Sequence, residues 1–361
     1  MKIAVSVLSD ISRAEGVKVR AKRVFELLHK NYDCTLIIRG ERDSISENVV
    51  VIRPSKLWNL QLVSVFLKDR FDLVFCESDF WGFFSYFMLA RVWGCKVVLE
   101  AHGIFSVENE SRLLNPNPVD KIRIQMDKWR ERFVIKHADC VIALSSDICT
   151  YYRKFNKCIF LIPTFVDEKK FKSRKSANEE ESDNGEEKIV GLIGPFAQHH
   201  YVDLNSLDFL YRNIIEFDER IKFVVIGECD YRIRNERVSY TGYLSDSKDY
   251  ANELTLLDAV LVASRFPTSG PLNKILEPMA CSLPVFATPT SAVGLDHIRP
   301  GTDIFVCDER ELVAKVNESL FNADLMEKVG KNARGTVETY YSADVNYRKL
   351  VEVINRLSTP S

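Results

Sequence analysis

Residues 258–295 read DAVLVASRFPTSGPLNKILEPMACSLPVFATPTSAVGL, and this stretch decides the fold. The apolar run at 259–263 is typical of a buried parallel strand. The turn-forming residues at 267–271 interrupt it, a helix is predicted over 274–281, and an extended segment resumes at 285–287. Strand, loop, helix and strand in this order predict a βαβ unit, and the same alternation runs through the whole chain. The expected class is therefore α/β, with doubly wound parallel sheets.

The start of this predicted helix contains residues that are suited to ligand binding. Ser269-Gly270-Pro271 opens it, and the unpaired backbone N–H groups of a helix start suit a phosphate. Glu277 lies two turns after Ser269, and Lys274 lies one turn before Glu277. A carboxylate that accepts two sugar hydroxyls, a lysine and an anion-binding helix start together indicate a nucleotide-sugar site.

Residues 273–288 (NKILEPMACSLPVFAT) resemble the donor-site signature of GT-B glycosyltransferases of the family 4 type. In that family a glutamate on the helix binds the nucleotide ribose, a role that falls on Glu277. The family commonly has Glu-x7-Glu, and Ser269 stands here at the first position, which ordinarily contacts the donor sugar. Some branches show Gly-x-x-Asn-Lys-x-x-Glu instead, which Gly270, Asn273, Lys274 and Glu277 match. The alternative is an ordinary Rossmann helix with a solvated lysine and glutamate.

The resemblance implies two Rossmann-like domains facing across a cleft. It also implies a retaining, metal-independent glycosyltransferase (hexosyltransferase-like) of glycan biosynthesis. Its substrates would be a nucleotide sugar and a glycan or lipid-linked acceptor hydroxyl, without a cofactor. His102, which follows a predicted strand, would contact the donor sugar, and Ser269 would replace the usual first glutamate; these two are the catalytic candidates. The donor-binding candidates are Gly16, Arg265, Gly270, Asn273, Lys274, Glu277 and Tyr243.

One departure from the family lies after the strand predicted at 189–193. The family usually has Gly-Arg there, with a lysine about five residues later, and the two cations hold the diphosphate. This chain has Gly194-Pro195, with His199 and His200 further on. Arg265, Lys274 and the helix start at Gly270 are the expected replacements for that charge. Tyr243 follows a turn similar to one whose backbone contacts the nucleotide base, and its ring is suited to stacking on the base.

The chain of 361 residues suggests two domains. The N-terminal domain is predicted at 1–165, an acidic linker at 173–188, and the nucleotide-sugar-binding domain at 189–342, with a C-terminal helix at about 344–358 packing back on the first domain. Nine cysteines are scattered without metal-binding spacing, which favours reduced thiols and no zinc site. No secretion signal and no stretch long enough to span a bilayer is expected, so the protein is predicted to be cytoplasmic or peripheral at a membrane.

The segment 120–137 is a basic amphipathic helix in which Ile122, Met126, Trp129 and Phe133 share one face. Two interpretations remain open: the helix lies on an anionic membrane, or it covers the domain core with a solvated basic face. The second is favoured.

Three enzyme classes are excluded by their missing motifs, namely zinc hydrolases, P-loop ATPases and NAD-dependent dehydrogenases. No nucleic-acid partner is expected. Two rivals to the transferase remain, a nucleotide-sugar 2-epimerase on the same fold and a non-catalytic GT-B protein that binds a nucleotide or a glycan.

Overall fold

The computed structural model describes residues 1–10, 16–40, 48–53, 58–77, 83–111, 117–172, 187–197, 201–266 and 270–358. The chain divides into two compact units. The first unit is Met1–Pro163 together with Tyr347–Ser361, and the second is Thr164–Asn346. Residues 173–186 of the predicted acidic linker lie outside the described residues, and Lys188 already belongs to a strand.

The described part of the first unit contains a seven-stranded parallel sheet. Its strands are β1 (Lys2–Asp10), β2 (Asp33–Arg39), β3 (Val49–Ile52), β4 (Leu73–Glu77), β5 (Lys96–Ala101), β6 (Cys140–Ala143) and β7 (Ile159–Leu161). Their order in the sheet is β3-β2-β1-β4-β5-β6-β7. The central strands read as continuous apolar runs because helices cover both faces of a parallel sheet. Every residue of β4 is accordingly buried.

The helices of the first unit connect these strands. They are α1 (Gly16–Leu28), α2 (Trp58–Lys68), α3 (Phe83–Trp93), α4 (Phe105–Ser111), α5 (Pro118–His137) and α6 (Ser146–Tyr152). Sequence analysis did not predict the short α4. Asn117 caps α5 in a capping box with Asp120, which moves its start two residues ahead of the predicted one.

The second unit repeats the same plan over its described residues. Its parallel strands are β8 (Lys188–Ile193), β9 (Ile221–Ile226), β10 (Val238–Gly242), β11 (Ala259–Val262), β12 (Val285–Ala287) and β13 (Phe305–Val306), in the order β10-β9-β8-β11-β12-β13. Its helices are α7 (Tyr201–Asn213), α8 (Ser247–Thr255), α9 (Asn273–Ala280), α10 (Glu309–Ser319) and α11 (Ala323–Thr336). A π-helical turn at Val337–Tyr341 follows α11 directly.

The last helix, α12 (Ala343–Ser358), starts in the second unit, and its residues from Tyr347 onward belong to the first. Tyr32 Oη donates a hydrogen bond to Asn355 Oδ1 at 2.8 Å, and the Arg356 guanidinium lies over the Phe160 ring. No described helix is both long and apolar enough to cross a membrane.

Both sheets have the doubly wound strand order, so the predicted α/β class with two Rossmann-like sheets is confirmed. In such sheets ligands bind beyond the carboxyl ends of the strands, where the strand order reverses. The reversal lies between β1 and β4 in the first unit and between β8 and β11 in the second. These two sheet edges are where functional side chains are expected.

Candidate functional site

Helix α9 begins beside the reversal point of the second sheet, after the loop that follows β11. Ile275, Leu276 and Met279 of this helix are fully buried. Leu272 occupies the N-cap position and offers no side-chain cap. Ile275 N–H donates back to the Leu272 carbonyl at 3.0 Å, so the N–H groups of Asn273 and Lys274 are the ones that an anion can use.

Close backbone contact fixes the loop that precedes α9. Gly294 has φ +81°, and a methyl group on it would stand 3.0 Å from the carbonyl carbon of Gly270 and from the nitrogen of Pro271. Only glycine fits this conformation without strain. The loop after β12 thus presses against Gly270 and holds the start of the helix in place.

Glu277 lies on α9 with 8% of its surface exposed. The hydroxyl of Tyr250, on α8, donates to its Oε2 at 3.0 Å. A buried carboxylate is costly unless hydrogen bonds satisfy it, so this contact positions Glu277. Sequence analysis predicted Glu277 as a site residue but missed Tyr250, which stands 27 positions earlier.

Lys274 forms a buried ion pair with Asp203 in the first turn of α7, and each side chain is 11% exposed. Sequence analysis placed Lys274 in solvent or against a phosphate; the structure pairs it instead. Gly194, at the end of β8, makes room for this pair, because a methyl group there would stand 2.5 Å from Asp203 Cγ. The pair joins the starts of the two helices that follow β8 and β11.

Asn273 occupies the first position of α9. Its Oδ1 is buried and has no hydrogen-bond partner. Buried polar atoms are nearly always paired, so such an atom at a helix start indicates a place for a ligand donor. Asn273 is the predicted site residue with the clearest unfilled contact.

Arg265 lies beyond the end of β11 and is engaged by an acid. Its Nε and Nη2 donate to Glu309 at 2.6 and 2.8 Å, and Arg212 donates to the same carboxylate at 3.2 Å. These bonds, the one from Arg265 above all, lower the pKa of Glu309 against the opposing effect of burial. The charge of Arg265 is thus already compensated within the protein.

The remaining candidates of the second unit are placed as follows. Tyr243 follows the end of β10 and is 54% exposed, so one ring face is available for stacking. Gly270 is buried beside Gly294. Ser269, like His199 and His200, lies outside the described residues.

In the first unit, His102 follows β5 and lies between two glutamates. Its Nε2 is 2.8 Å from Glu77 Oε2 and 3.1 Å from Glu100 Oε2. Glu77 ends β4 and pairs in register with Glu100 on β5. Arg20 of α1 holds Glu100 through Nη2 at 2.6 Å and Nε at 3.1 Å. The predicted Gly16 is the first residue of this same helix.

These charges alter one another's protonation. Burial, and next the charge of Glu100, raises the pKa of Glu77 to about 8. Burial opposes the charge of Glu100, but the Arg20 guanidinium and the bond to His102 bring its pKa below the ordinary value. Burial also opposes the charge of His102, yet its bonds to both glutamates raise its pKa to about 9. Sequence analysis found His102 and missed its three partners, although glutamates at the ends of two predicted strands were a usable signal.

Helix α5 packs against the core through a face different from the predicted one. Ile122, Met126 and Trp129, expected to cover the core, are 63, 56 and 70% exposed. The buried side chains are instead Ile124, Asp127, Glu131, Val134 and Ile135. The apolar period was misread because the true inner face contains two acids. Glu131 accepts from Ser106 and Tyr152, and Asn109 donates to Asp127, so both acids are satisfied inside.

Two family models match this sequence. Residues 14–170 match the model described as Glycosyltransferase Family 4, and residues 187–322 match Glycosyl transferases group 1. Together the two matches cover about four fifths of the chain. A sequence search of the curated proteins found no significant match.

Solved structures resemble the whole chain at low sequence identity. Sucrose-phosphate synthase from Thermosynechococcus elongatus has a TM-score of 0.80 at 16% identity, covering 99% of this chain and 98% of its own. HepE from Anabaena, in complex with UDP and glucose, has a TM-score of 0.75 at 14% identity, covering 99 and 100%. A glycosyltransferase from Rickettsia africae has a TM-score of 0.72 at 18% identity, covering 100 and 99%. Likeness at this identity shows the shared GT-B fold.

The two family models agree with the two units, and the matched residues include His102, Lys274 and Glu277. The chain therefore belongs to the glycosyltransferases of the group 1 and family 4 type, enzymes with the GT-B fold.

Proposed function

We infer that this glycosyltransferase moves a sugar from a nucleotide-activated donor to an acceptor hydroxyl of a glycan or a lipid-linked molecule. The observation that carries the proposal is the buried carboxylate of Glu277, positioned by Tyr250 on a helix whose start lies at the reversal point of the sheet. Glu277 would accept hydrogen bonds from the two ribose hydroxyls. A ligand N–H or O–H would satisfy the buried Oδ1 of Asn273.

The phosphates would lie against the start of α9. Lys274 would exchange Asp203 for a phosphate oxygen, which retains a charge-assisted hydrogen bond at the ammonium. Residues 194–197 read Gly-Pro-Phe-Ala and contain no cation, so Lys274 and the helix N–H groups would stabilise the leaving diphosphate. This assignment leaves Arg265 with Glu309, and it needs neither a metal ion nor a cofactor.

The sugar and the base of the donor would contact residues that follow other strands. His102 would contact the donor sugar, and Ser269 would stand where related enzymes have a glutamate. Tyr243 would stack on the base. HepE was solved with UDP and with UDP-glucose, which supports a uridine nucleotide as the first donor to test. By the family resemblance, the transfer would retain the anomeric configuration of the donor sugar.

A transfer assay tests this function against its rivals. Candidate donors, selected by calorimetric binding of UDP, GDP and ADP, are incubated with and without an acceptor extract. Acceptor-dependent release of nucleoside diphosphate is expected. Release without an acceptor together with an epimerised sugar would identify an epimerase, and binding without any turnover would identify a non-catalytic protein.

We expect Lys274→Met to weaken nucleoside-diphosphate binding about tenfold or more, because a charge-assisted phosphate contact is worth about 1.5–3 kcal/mol. The measurement is calorimetry with the diphosphate and with the nucleoside alone. Nucleoside affinity should not change, which controls for folding. Asp203→Asn is the matched variant, since it removes the partner and keeps the lysine; its diphosphate affinity should be unchanged or tighter. Equal diphosphate binding by Lys274→Met and the wild type would remove Lys274 from the site.

We also propose that the acceptor side of this enzyme rests on an anionic membrane surface through α5. Val119, Ile122, Met126 and Trp129 recur at helical spacing and are all more than half exposed. Exposed cations flank this stripe, namely Lys121, Arg123, Arg132 and Lys136. An exposed apolar stripe with basic flanks is the pattern of a helix that lies in a lipid headgroup region.

We expect the wild type to sediment with vesicles of phosphatidylcholine and phosphatidylglycerol, and not with phosphatidylcholine alone. Trp129→Ser should bind about tenfold less, since burying one large apolar side chain is worth about 1.5–3 kcal/mol. Leu67→Ser is the control, because Leu67 is a 66% exposed apolar residue on α2, outside the stripe. Equal losses in both variants, or binding unaffected by added salt, would contradict the proposal.

A further inference from the structure

Several buried charged groups surround His102. A histidine that only contacts a sugar does not require them. Within the described residues, the titratable groups acting on the imidazole are Glu77 of β4 and Glu100 of β5, with Arg20 of α1 behind Glu100. Arg20, Glu77 and Glu100 are 2, 2 and 0% exposed. Burying three ionisable groups is expensive, so this arrangement calls for a functional reason.

A metal ion is the first possibility, since one ligand atom each of Glu77, Glu100 and His102 lies within 4.8 Å of the others. The charges argue against it. Both oxygens of Glu100 are bonded to Arg20, and a divalent ion beside Arg20 would set three positive charges against two carboxylates. With one proton on Nε2 in place of the metal, Arg20, the imidazolium, Glu100 and an ionised Glu77 sum to zero, and a protonated Glu77 leaves a single positive charge.

The contact distances also fit a proton. Nε2 lies at 2.8 Å from Glu77 Oε2, in the range of charge-assisted N–H···O bonds, and at 3.1 Å from Glu100 Oε2, within the ordinary N–H···O range. Arg20 keeps Glu100 ionised, and a carboxylate that faces a ring nitrogen requires that nitrogen to be the donor. The imidazole side chain is 17% exposed, so the ring reaches the surface while Nε2 is held inside.

We propose that Arg20, Glu77 and Glu100 are positioning residues that keep His102 as an imidazolium, so that it acts on the substrate as a fixed cationic donor and not as a general base. The assignment deepens the proposed glycosyl transfer and rests on it. Arg20 fixes Glu100, Glu100 and Glu77 fix Nε2–H, and the ring presents its positive charge at the carboxyl end of β5. A fixed cation there would stabilise negative charge that develops as the sugar leaves its phosphate.

The raised pKa of His102 supports this charge state, because the ring then stays protonated across the neutral range. Glu77 is an acceptor for Nε2–H, and its carboxyl, with a pKa of about 8, is ionised at the pH near 9 where His102 loses its proton. Glu77→Gln keeps the shape and an acceptor oxygen and removes the charge. Since an opposite charge at this distance shifts a pKa by about one to three units, the variant should lower the pKa of His102 by at least about one unit.

The decisive measurement is an NMR titration of ¹³C-labelled histidine, with the His102 resonance assigned by its loss in His102→Gln. The other histidines of the chain serve as internal references. Glu131→Gln is the matched control, because Glu131 is 1% exposed in the same unit and bonds to Ser106 and Tyr152. A lowered His102 pKa in Glu77→Gln alone supports the proposal. An unchanged pKa, or equal shifts in both variants, overturns it.

The pH dependence of turnover tests the role itself. For a fixed cation, kcat/KM should fall as pH rises through the pKa of His102, and Glu77→Gln should move that fall to lower pH with little change in KM. Activity that rises with pH through the same titration would identify a general base and overturn the proposal. Zinc or manganese binding that depends on Glu77 would overturn it as well. The NMR titration needs no donor, so its outcome is independent of whether the proposed transfer is found.

Discussion

Replacing Arg20 with methionine should destabilise the first unit by about 3–5 kcal/mol, because it removes the guanidinium partner of the buried Glu100 carboxylate. Arg20 is 2% exposed and makes two bonds to Glu100 and a third, at 3.1 Å, to the carbonyl of Pro163. Methionine fills a similar volume, so the loss would come mainly from the missing guanidinium partner and the unpaired acceptors and not from a cavity.

Urea unfolding followed by tryptophan fluorescence measures this effect selectively. The tryptophans of the chain, Trp58, Trp81, Trp93 and Trp129, all belong to the first unit, so their signal reports its unfolding. Lys22→Met is the matched control on the same helix, since the side chain of Lys22 is 73% exposed and pairs with Glu26 at 3.9 Å. The control should change stability by no more than about 0.5 kcal/mol.

The loss of unfolding free energy in Arg20→Met should depend on pH, and the direction of that dependence can be stated. In the wild type the folded-state pKa of Glu100 is lowered, so its contribution to stability is present above its ordinary pKa and is lost as pH falls through the folded value. In the variant, burial acts on Glu100 without the opposing Arg20 charge, so that pKa is higher than in the wild type. The difference between variant and wild type should therefore be largest near neutral pH and shrink in acid, where Glu100 takes up a proton. A deficit independent of pH would attribute the loss to packing.

The fold was predictable because parallel strands are apolar runs of a characteristic length, separated by amphipathic helices. The extended segment 285–287 was predicted to the residue, and it is β12. The helix α4 was missed because FSVENES is a single short polar segment without a usable period. The local pattern of hydrophobic residues gives no periodic signal for a helix that lies outside the strand–helix alternation.

The orientation of α5 could not be predicted, because two competing periods occur in one helix. The exposed stripe of Ile122, Met126 and Trp129 is more apolar than the face that packs inside. The inner face carries Asp127 and Glu131, and Glu131 is stabilised by Tyr152, 21 positions later. A pattern of hydrophobicity assigns charged residues to solvent, and it cannot register acceptors that become satisfied only in the folded chain.

The candidate site likewise contains residues that the sequence predicts and partners that it does not predict. The residues of α9 were predictable because Asn273, Lys274 and Glu277 form a local motif with a chemical meaning. Their partners Asp203 and Tyr250 lie 71 and 27 residues away in the sequence, and only the sheet order brings them together. The consequence is substantive, since Lys274 turns out to be a buried, paired cation that must change partner to bind a phosphate.

Glu277→Gln is expected to weaken donor binding about tenfold to a hundredfold, since the lost charge-assisted bonds are worth about 1.5–3 kcal/mol. Glutamine has the shape of glutamate but one acceptor oxygen and no charge. Tyr250 can still donate to that oxygen, so the fold should persist and the ribose should lose its partner. The loss should be equal for UDP-, GDP- and ADP-sugars that bind, because all contain the same ribose. Calorimetry with each nucleotide gives the affinities, and thermal melting checks the fold.

A 2′-deoxyribose donor separates a ribose contact from a general effect. It should bind the wild type weakly and lose little further affinity in Glu277→Gln, because the hydroxyl that Glu277 would accept from is already missing. The two changes are then non-additive, as expected for groups in direct contact. Glu311→Gln, an exposed glutamate of α10, is the control and should leave both affinities unchanged. Additive losses would place Glu277 away from the ribose, and a variant that binds the donor as tightly as the wild type would leave the proposed donor site without its central contact.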